Sequence, residues 1–181
     1  MNTRKLAMTS VMAALMCLTG MMVHWVSPAL VPFSVLPVLV LMSGLILGAE
    51  YAAMAMLVYV ILGLFGLPVF SAAPFGGFGY ILKPTFGFLL GNIAAAYVVG
   101  QVYRKGSIWW AIMGVLAGLV TLYLFGLSYL YFILHWILHS QTSIAGVVMM
   151  GFVPFILGDL IKAGIAVWVG QEVVRRRSQA A

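Results

Sequence analysis

The chain has 181 residues, of which 65% are hydrophobic and only 7% charged. Nine basic and three acidic residues could not cover the surface of a soluble domain of this length, so composition excludes one and points to an integral membrane protein without a separate soluble domain. The net charge of +6 sits at the ends of apolar segments, where it sets orientation, and no nucleic-acid partner is expected.

Arg4 and Lys5 precede an apolar run over residues 6–25. The run is long enough to span a bilayer and lacks a small-residue cleavage site, so it reads as a retained first span and not a signal peptide. Cys17 lies inside it and reads as packing; with no second cysteine, no disulfide can form within the chain. His24 and Trp25 fall at its far end, where amphipathic rings settle. Pro28, Pro32 and Pro37 make the next stretch a non-helical connection.

From Val38 to Phe65 only Glu50 interrupts the apolar run. One helix of that length would overshoot the hydrocarbon layer by about 10 Å. A turn at Gly48-Ala49-Glu50 gives two short spans instead, 36–48 and 51–65. It also puts Arg4/Lys5, Arg104/Lys105 and Arg175-Arg176-Arg177 on one side, as positively charged cytoplasmic loops require.

Residues 66–84, GLPVFSAAPFGGFGYILKP, are rich in Gly and Pro yet carry Phe70, Phe75, Phe78 and Tyr80. A solvent loop would not hold so many aromatics, and irregular backbone near a membrane must be buried or line a cavity. The stretch reads as an external loop folded back over the bundle: a lid over a flat ligand, or an ordered cap over helix ends. Lys83 stands on the outer side, against the orientation rule. It suits an anionic ligand group, or a lipid phosphate reached by snorkelling.

Residues 85–103 form a fourth span and 108–124 a fifth. Residues 126–151, with Ser128, His135, His139, Ser140 and Gln141, read as external or interfacial and partly helical. The last span covers 154–174. The expected architecture is all-α: a single membrane domain over 1–181 with six transmembrane helices, both termini cytoplasmic, and external lid loops over a ligand pocket. Small residues four apart (Gly44/Gly48, Gly87/Gly91, Gly114/Gly118, Ser10/Ala14) allow close helix approach, within the bundle or against another subunit.

The last span holds an acid and a base where lipid tolerates neither. Each charge near a helix centre costs roughly 2.5–3.5 kcal/mol. Asp159 and Lys162 are three apart and share a face one to two turns beyond Pro154. Either they form a buried pair that only fixes packing, or they are the polar floor of a ligand pocket. His135 and His139 have a spacing that can hold a metal, but nothing nearby completes a site. No Ser-His-Asp set and no phosphate-binding G-x-x-x-x-G-K-[ST] occurs. An enzyme is not expected, nor a metal or other cofactor. If the protein moves a solute uphill, a coupling ion or another subunit must supply the energy, and one acid-base pair is thin machinery for ion coupling.

Pro32-Phe33-Ser34, Gly66-Leu67-Pro68-Val69-Phe70, Pro84-Thr85-Phe86-Gly87-Phe88-Leu89 and Pro154-Phe155 followed by Gly158-Asp159-Leu160-Ile161-Lys162 resemble, in order, motifs of BioY, the biotin-binding membrane subunit of energy-coupling-factor vitamin transporters. The chain departs from the family pattern at Lys83 and Phe86, where Gly is common, at Leu36, where Gln is common, and at Ser10, where the small-residue motif of the first helix usually has Ala. The resemblance implies six helices in the cell membrane and a biotin pocket near the external face. It also implies a partner module of a membrane coupling subunit and two ATPases, with Ser10 and Ala14 as a docking face. In that setting Asp159 can accept from a ureido N–H and Lys162 can donate to the ureido carbonyl. Phe33, Ser34, Phe70, Ser71, Phe75 and Tyr80 are candidates to cover the rings, and Lys83 to meet the carboxylate. The residues also allow the reverse, with Lys162 on the carboxylate. The same architecture would suit another vitamin, and an ion-coupled small-solute transporter is the alternative from a different class.

Overall fold

The computed structural model describes residues 3–23, 35–104 and 106–179. His24, Trp25, Pro28, Pro32, Phe33, Ser34 and Lys105 lie outside them. The described residues are all-helical: α1 (Thr3–Val23), α2 (Leu36–Leu47), α3 (Ala49–Leu64), α4 (Phe86–Val102), α5 (Ile108–Phe132), α6 (Ile144–Gly151) and α7 (Val153–Gln179). A 3-10 turn, Phe78–Leu82, precedes α4, and a π-type turn, Ile133–Ile137, continues α5. Three segments, Thr3–Met22, Ile108–Ile137 and Val153–Arg176, are long and apolar enough to cross a membrane; α2, α3 and α4 are shorter apolar helices.

The long apolar run after Pro37 is broken where the sequence suggests. Gly48 takes φ +83 and ψ 171, a backbone that side chains resist, and separates α2 from α3. The break seats the end of α4: a Cβ on Gly100 would lie 2.2 Å from the Ala49 nitrogen. Close by, the Lys5 ammonium lies 5.2 Å from the centre of the Tyr51 ring, so α1 and α3 begin at this same end. Gln171 of α7 donates to the Ser107 carbonyl at 3.1 Å and lies 3.5 Å from the Tyr103 hydroxyl, on the connection between α4 and α5. Lys5, Arg104, Arg175 and Arg176 therefore collect at one end of the bundle, the basic end. Residues 66–84 cover the other, the cap end.

The sequence reading ends the fifth helix near residue 124, but α5 runs on to Phe132. Packing explains the extension. A Cβ on Gly126 would lie 2.4 Å from the Phe88 ring, and one on Gly87 would lie 2.2 Å from the Tyr129 Cβ. The glycines that mark a helix end in isolation here let α4 and α5 come together, and this is the most extensive helix pairing. Beyond the π-type turn lies the short α6, in the stretch 126–151 that the sequence reads as partly helical and apart from the six spans; with it the described residues hold seven α-helices. Ser143 caps it, accepting from the Gly146 N–H at 3.2 Å.

Two apolar cores flank α4. One joins α1, one side of α2, α3, the cap and one side of α4, with Met16, Val40, Met56, Tyr59, Phe70 and Tyr80. The other joins α2, α5, α7 and the opposite side of α4, with Leu41, Ala95, Val99, Val115, Leu119 and Ala163. The small-residue pairs on α2, α4 and α5 serve this internal packing: Gly44 meets Val99 and Ala96, and Gly118 meets Val99. Ser10 and Ala14 are instead exposed on α1.

Candidate functional site

Asp159 and Lys162 meet. Lys162 Nζ donates to Asp159 Oδ1 at 2.9 Å, closing an i,i+3 pair on the first half of α7. The side chains retain only 12% (Lys162) and 7% (Asp159) of their accessible surface. A third group completes the arrangement. Tyr123 of α5 donates its hydroxyl to Asp159 Oδ2 at 2.5 Å. The Tyr123 ring is held edge-on by Phe152, with centroids 4.8 Å apart, and by Phe88 of α4, at 6.4 Å. The apolar rings fix the phenol, and the phenol and ammonium fix the carboxylate. Each carboxylate oxygen thus accepts one bond, from a total capacity of about four. Two acceptor positions remain.

The cap residues form a second cluster. The Tyr59 hydroxyl of α3 donates to the Val69 carbonyl at 2.8 Å. Phe70 is wholly buried, with its ring 4.4 Å from that of Tyr80 and 5.9 Å from that of Tyr59, over the gap left by Gly63. Thr85 donates to the Tyr80 hydroxyl at 3.1 Å, and Tyr129 of α5 donates to the Ile81 carbonyl. The stretch is therefore an ordered cap fastened to α3, α4 and α5. Phe75 differs from its neighbours: it is 36% exposed and holds φ +65, a strained backbone for a bulky residue. Ser71 is half-buried and Lys83 exposed. The Lys83 side chain has no hydrogen bond or ion pair among the described residues. Its carbonyl accepts from the Phe86 N–H and so starts α4.

The structure thus brings Asp159 together with Lys162, and Phe70 with Tyr80, in two separate clusters. Phe33 and Ser34 fall outside the described residues. Sequence reasoning missed Tyr123 and Tyr59. Tyr123 falls at the end of the span read as 108–124, where such rings ordinarily settle, and only the continuation of α5 to Phe132 places it inside the helix. His135 stacks on Tyr131, with centroids 5.5 Å apart and planes 9° apart. An apolar groove of about 440 Å³ between α4 and α5, lined by Leu90, Leu124, Phe125, Ser128, Tyr129 and Phe132, carries no charged group and does not include the Asp159 cluster.

The sequence model of the BioY family matches residues 1–179. The chain belongs to the BioY family. Similar BioY proteins include the biotin transporter BioY of Thermotoga maritima, 37% identical over 145 residues that cover 78% of this chain and 81% of that protein. The probable biotin transporter BioY of Lysinibacillus sphaericus is 35% identical over 165 residues, 90% of this chain and 82% of that one. The biotin transporter BioY of Rhizobium etli is 31% identical over 193 residues, 96% of this chain and 95% of that one. A crystal structure of the S-component for biotin from an ECF-type ABC transporter superposes with a TM-score of 0.75 at 18% identity, over 96% of this chain and 92% of that one. That likeness shows that this BioY chain has the fold of an ECF S-component.

Proposed function

We propose that this BioY chain is the substrate-capture subunit of an energy-coupling-factor transporter and that its ligand is biotin. The observation that carries the reading is the buried Tyr123–Asp159–Lys162 set in a chain of this family. Three polar groups are gathered inside an apolar bundle, and the carboxylate keeps acceptor capacity. A ureido N–H donates to Asp159, and Lys162 turns part of its donor capacity to the ureido carbonyl. Charge-assisted bonds of this kind, formed away from water, reject analogues that lack the partner group. The role is capture and not catalysis.

The remaining assignments follow from this reading. The chain is one membrane domain with six crossings in the cell membrane, its basic end cytoplasmic and its cap external. Biotin enters beside the cap. Phe70 and Tyr80 hold the cap to the bundle, while Phe75, Ser71, Phe33 and Ser34 are the residues left to cover the rings, and Lys83 meets the carboxylate. Ser10 and Ala14, exposed on α1, dock the membrane coupling subunit, whose two ATPases supply the energy that the chain has no means to supply itself.

Equilibrium binding of radiolabelled biotin to the purified protein in detergent tests the reading. Saturable binding at one site per chain, lost in Asp159→Asn, is the expected result. Absence of binding by the folded wild-type protein, or undiminished binding by the variant, would overturn it.

A further inference from the structure

Asn92 is a polar side chain in the middle of α4 that the site described above does not use. The residue is only 6% exposed. Its amide has no hydrogen-bond partner among the described residues. Burying an amide without a partner is costly, and native interiors rarely do it. Among the described residues no side-chain nitrogen or oxygen is both sealed off and unpartnered, so the small surface Asn92 retains includes its amide atoms. The amide opens onto space and is not pressed against an apolar wall.

The position of that space follows from the helix. Phe88, Asn92, Ala95 and Val99 recur at i, i+4, i+7 and i+11 and form one stripe along α4. One turn toward the cap, Phe88 packs on Tyr123, whose hydroxyl holds Asp159. One turn toward the basic end, Ala95 lies in the same core as Leu119 and Ala163, and Ala163 follows Lys162 directly. Depth agrees. The helices α4 and α7 both start at the cap end, and Asn92 and Asp159 each stand six residues into their helix. At 1.5 Å per residue both lie about 9 Å below the start.

We propose that Asn92 is a ligand-binding residue facing Asp159, and that its amide pairs with the second edge of a cyclic urea. This rests on the reading that the ligand is biotin. A cyclic urea presents two edges, each an N–H beside the shared carbonyl. On one edge Asp159 accepts from the N–H and Lys162 donates to the carbonyl. On the other, the Asn92 amide oxygen accepts from the second N–H, and its NH₂ donates to the carbonyl's second lone pair. A primary amide carries that donor and acceptor in one plane. Asn92 would then fix the ring end of the ligand and be indifferent to the carboxylate end.

The test uses the full-length protein in detergent, with Asn92→Leu and the smaller Asn92→Ala. Affinity for biotin and for biotin methyl ester is measured by titration calorimetry, and the ligand-free melting temperature is recorded. Both variants are expected to lose affinity for both compounds by the same factor, on the order of ten- to hundred-fold. Their ligand-free melting temperatures are expected to hold, because no internal bond is removed. Three results would overturn the proposal: affinities within twofold of wild type, a larger loss for biotin than for its ester, or a lowered ligand-free melting temperature in both variants. Failure of the wild type to bind biotin would overturn the functional reading on which this one rests. Normal wild-type binding with unaffected variants would overturn the role of Asn92 alone.

Discussion

The two tyrosine-centred clusters of this chain differ in what they leave unspent. Around Tyr59 every surface is used: the hydroxyl is donated to Val69, the ring meets Phe70, and Phe70 fills the space over Gly63. Around Tyr123 the rings are equally packed, but the hydroxyl ends on a carboxylate that can accept further bonds. One cluster is a fastening and the other is, on the reading proposed above, a receptor for donors. Composition does not separate them, since both combine Tyr with Phe. The Asp159 carboxylate on α7 makes the difference.

Four substitutions break or sharpen this contrast. The largest effect is expected from Asp159→Ala, which removes the acceptor and takes from the Lys162 ammonium its carboxylate contact at 2.9 Å. Removing one partner of a buried pair costs about 3–5 kcal/mol, so biotin binding should vanish and the melting temperature in detergent should fall. Phe70→Ala should cost a similar or slightly smaller amount of stability, about 3–5 kcal/mol from a cavity at a fully buried ring. Protein that remains folded should still bind biotin, so melting temperature and calorimetric affinity should part company here, whereas Asp159→Ala lowers both. Tyr123→Phe keeps the ring and removes one bond from Asp159 Oδ2, at about 1–3 kcal/mol. It should lower the melting temperature and weaken biotin binding less than loss of the acid does. Phe75→Gly relieves a left-handed backbone and should raise the melting temperature slightly, by roughly 1 kcal/mol of stability, with affinity falling only as far as its ring covers the ligand.

What the sequence revealed and what it hid have physical causes. The Asp159–Lys162 pair was legible because three residues on one helix fix two side chains on one face. The break at Gly48 was legible because a single helix there is too long for a bilayer and the charges demand a reversal. The end of α5 was not legible. Gly126 and Ser128 look like a terminus, and only the partner helix shows that Gly126 is a seat for Phe88. Tyr123 lies 36 residues from Asp159 on a different helix, so no local spacing joins them. Asn92 was passed over for a related reason: a lone amide in an apolar span acquires meaning only once its lack of a partner can be seen. The aromatic loop was readable as covering the bundle, but its division into buried Phe70 and Tyr80 and exposed Phe75 depends on which rings α3 and α4 accept.

The bond from Gln171 to the Ser107 carbonyl has a mechanical consequence. Helix α7 is tethered by polar bonds at Asp159 and again twelve residues later at Gln171, about 18 Å along its axis. On the proposed reading the first tether shares its acceptor with the ligand; the second does not. A newcomer at the carboxylate can therefore loosen one mooring while the other holds, and the helix becomes a lever with its fulcrum among the arginines.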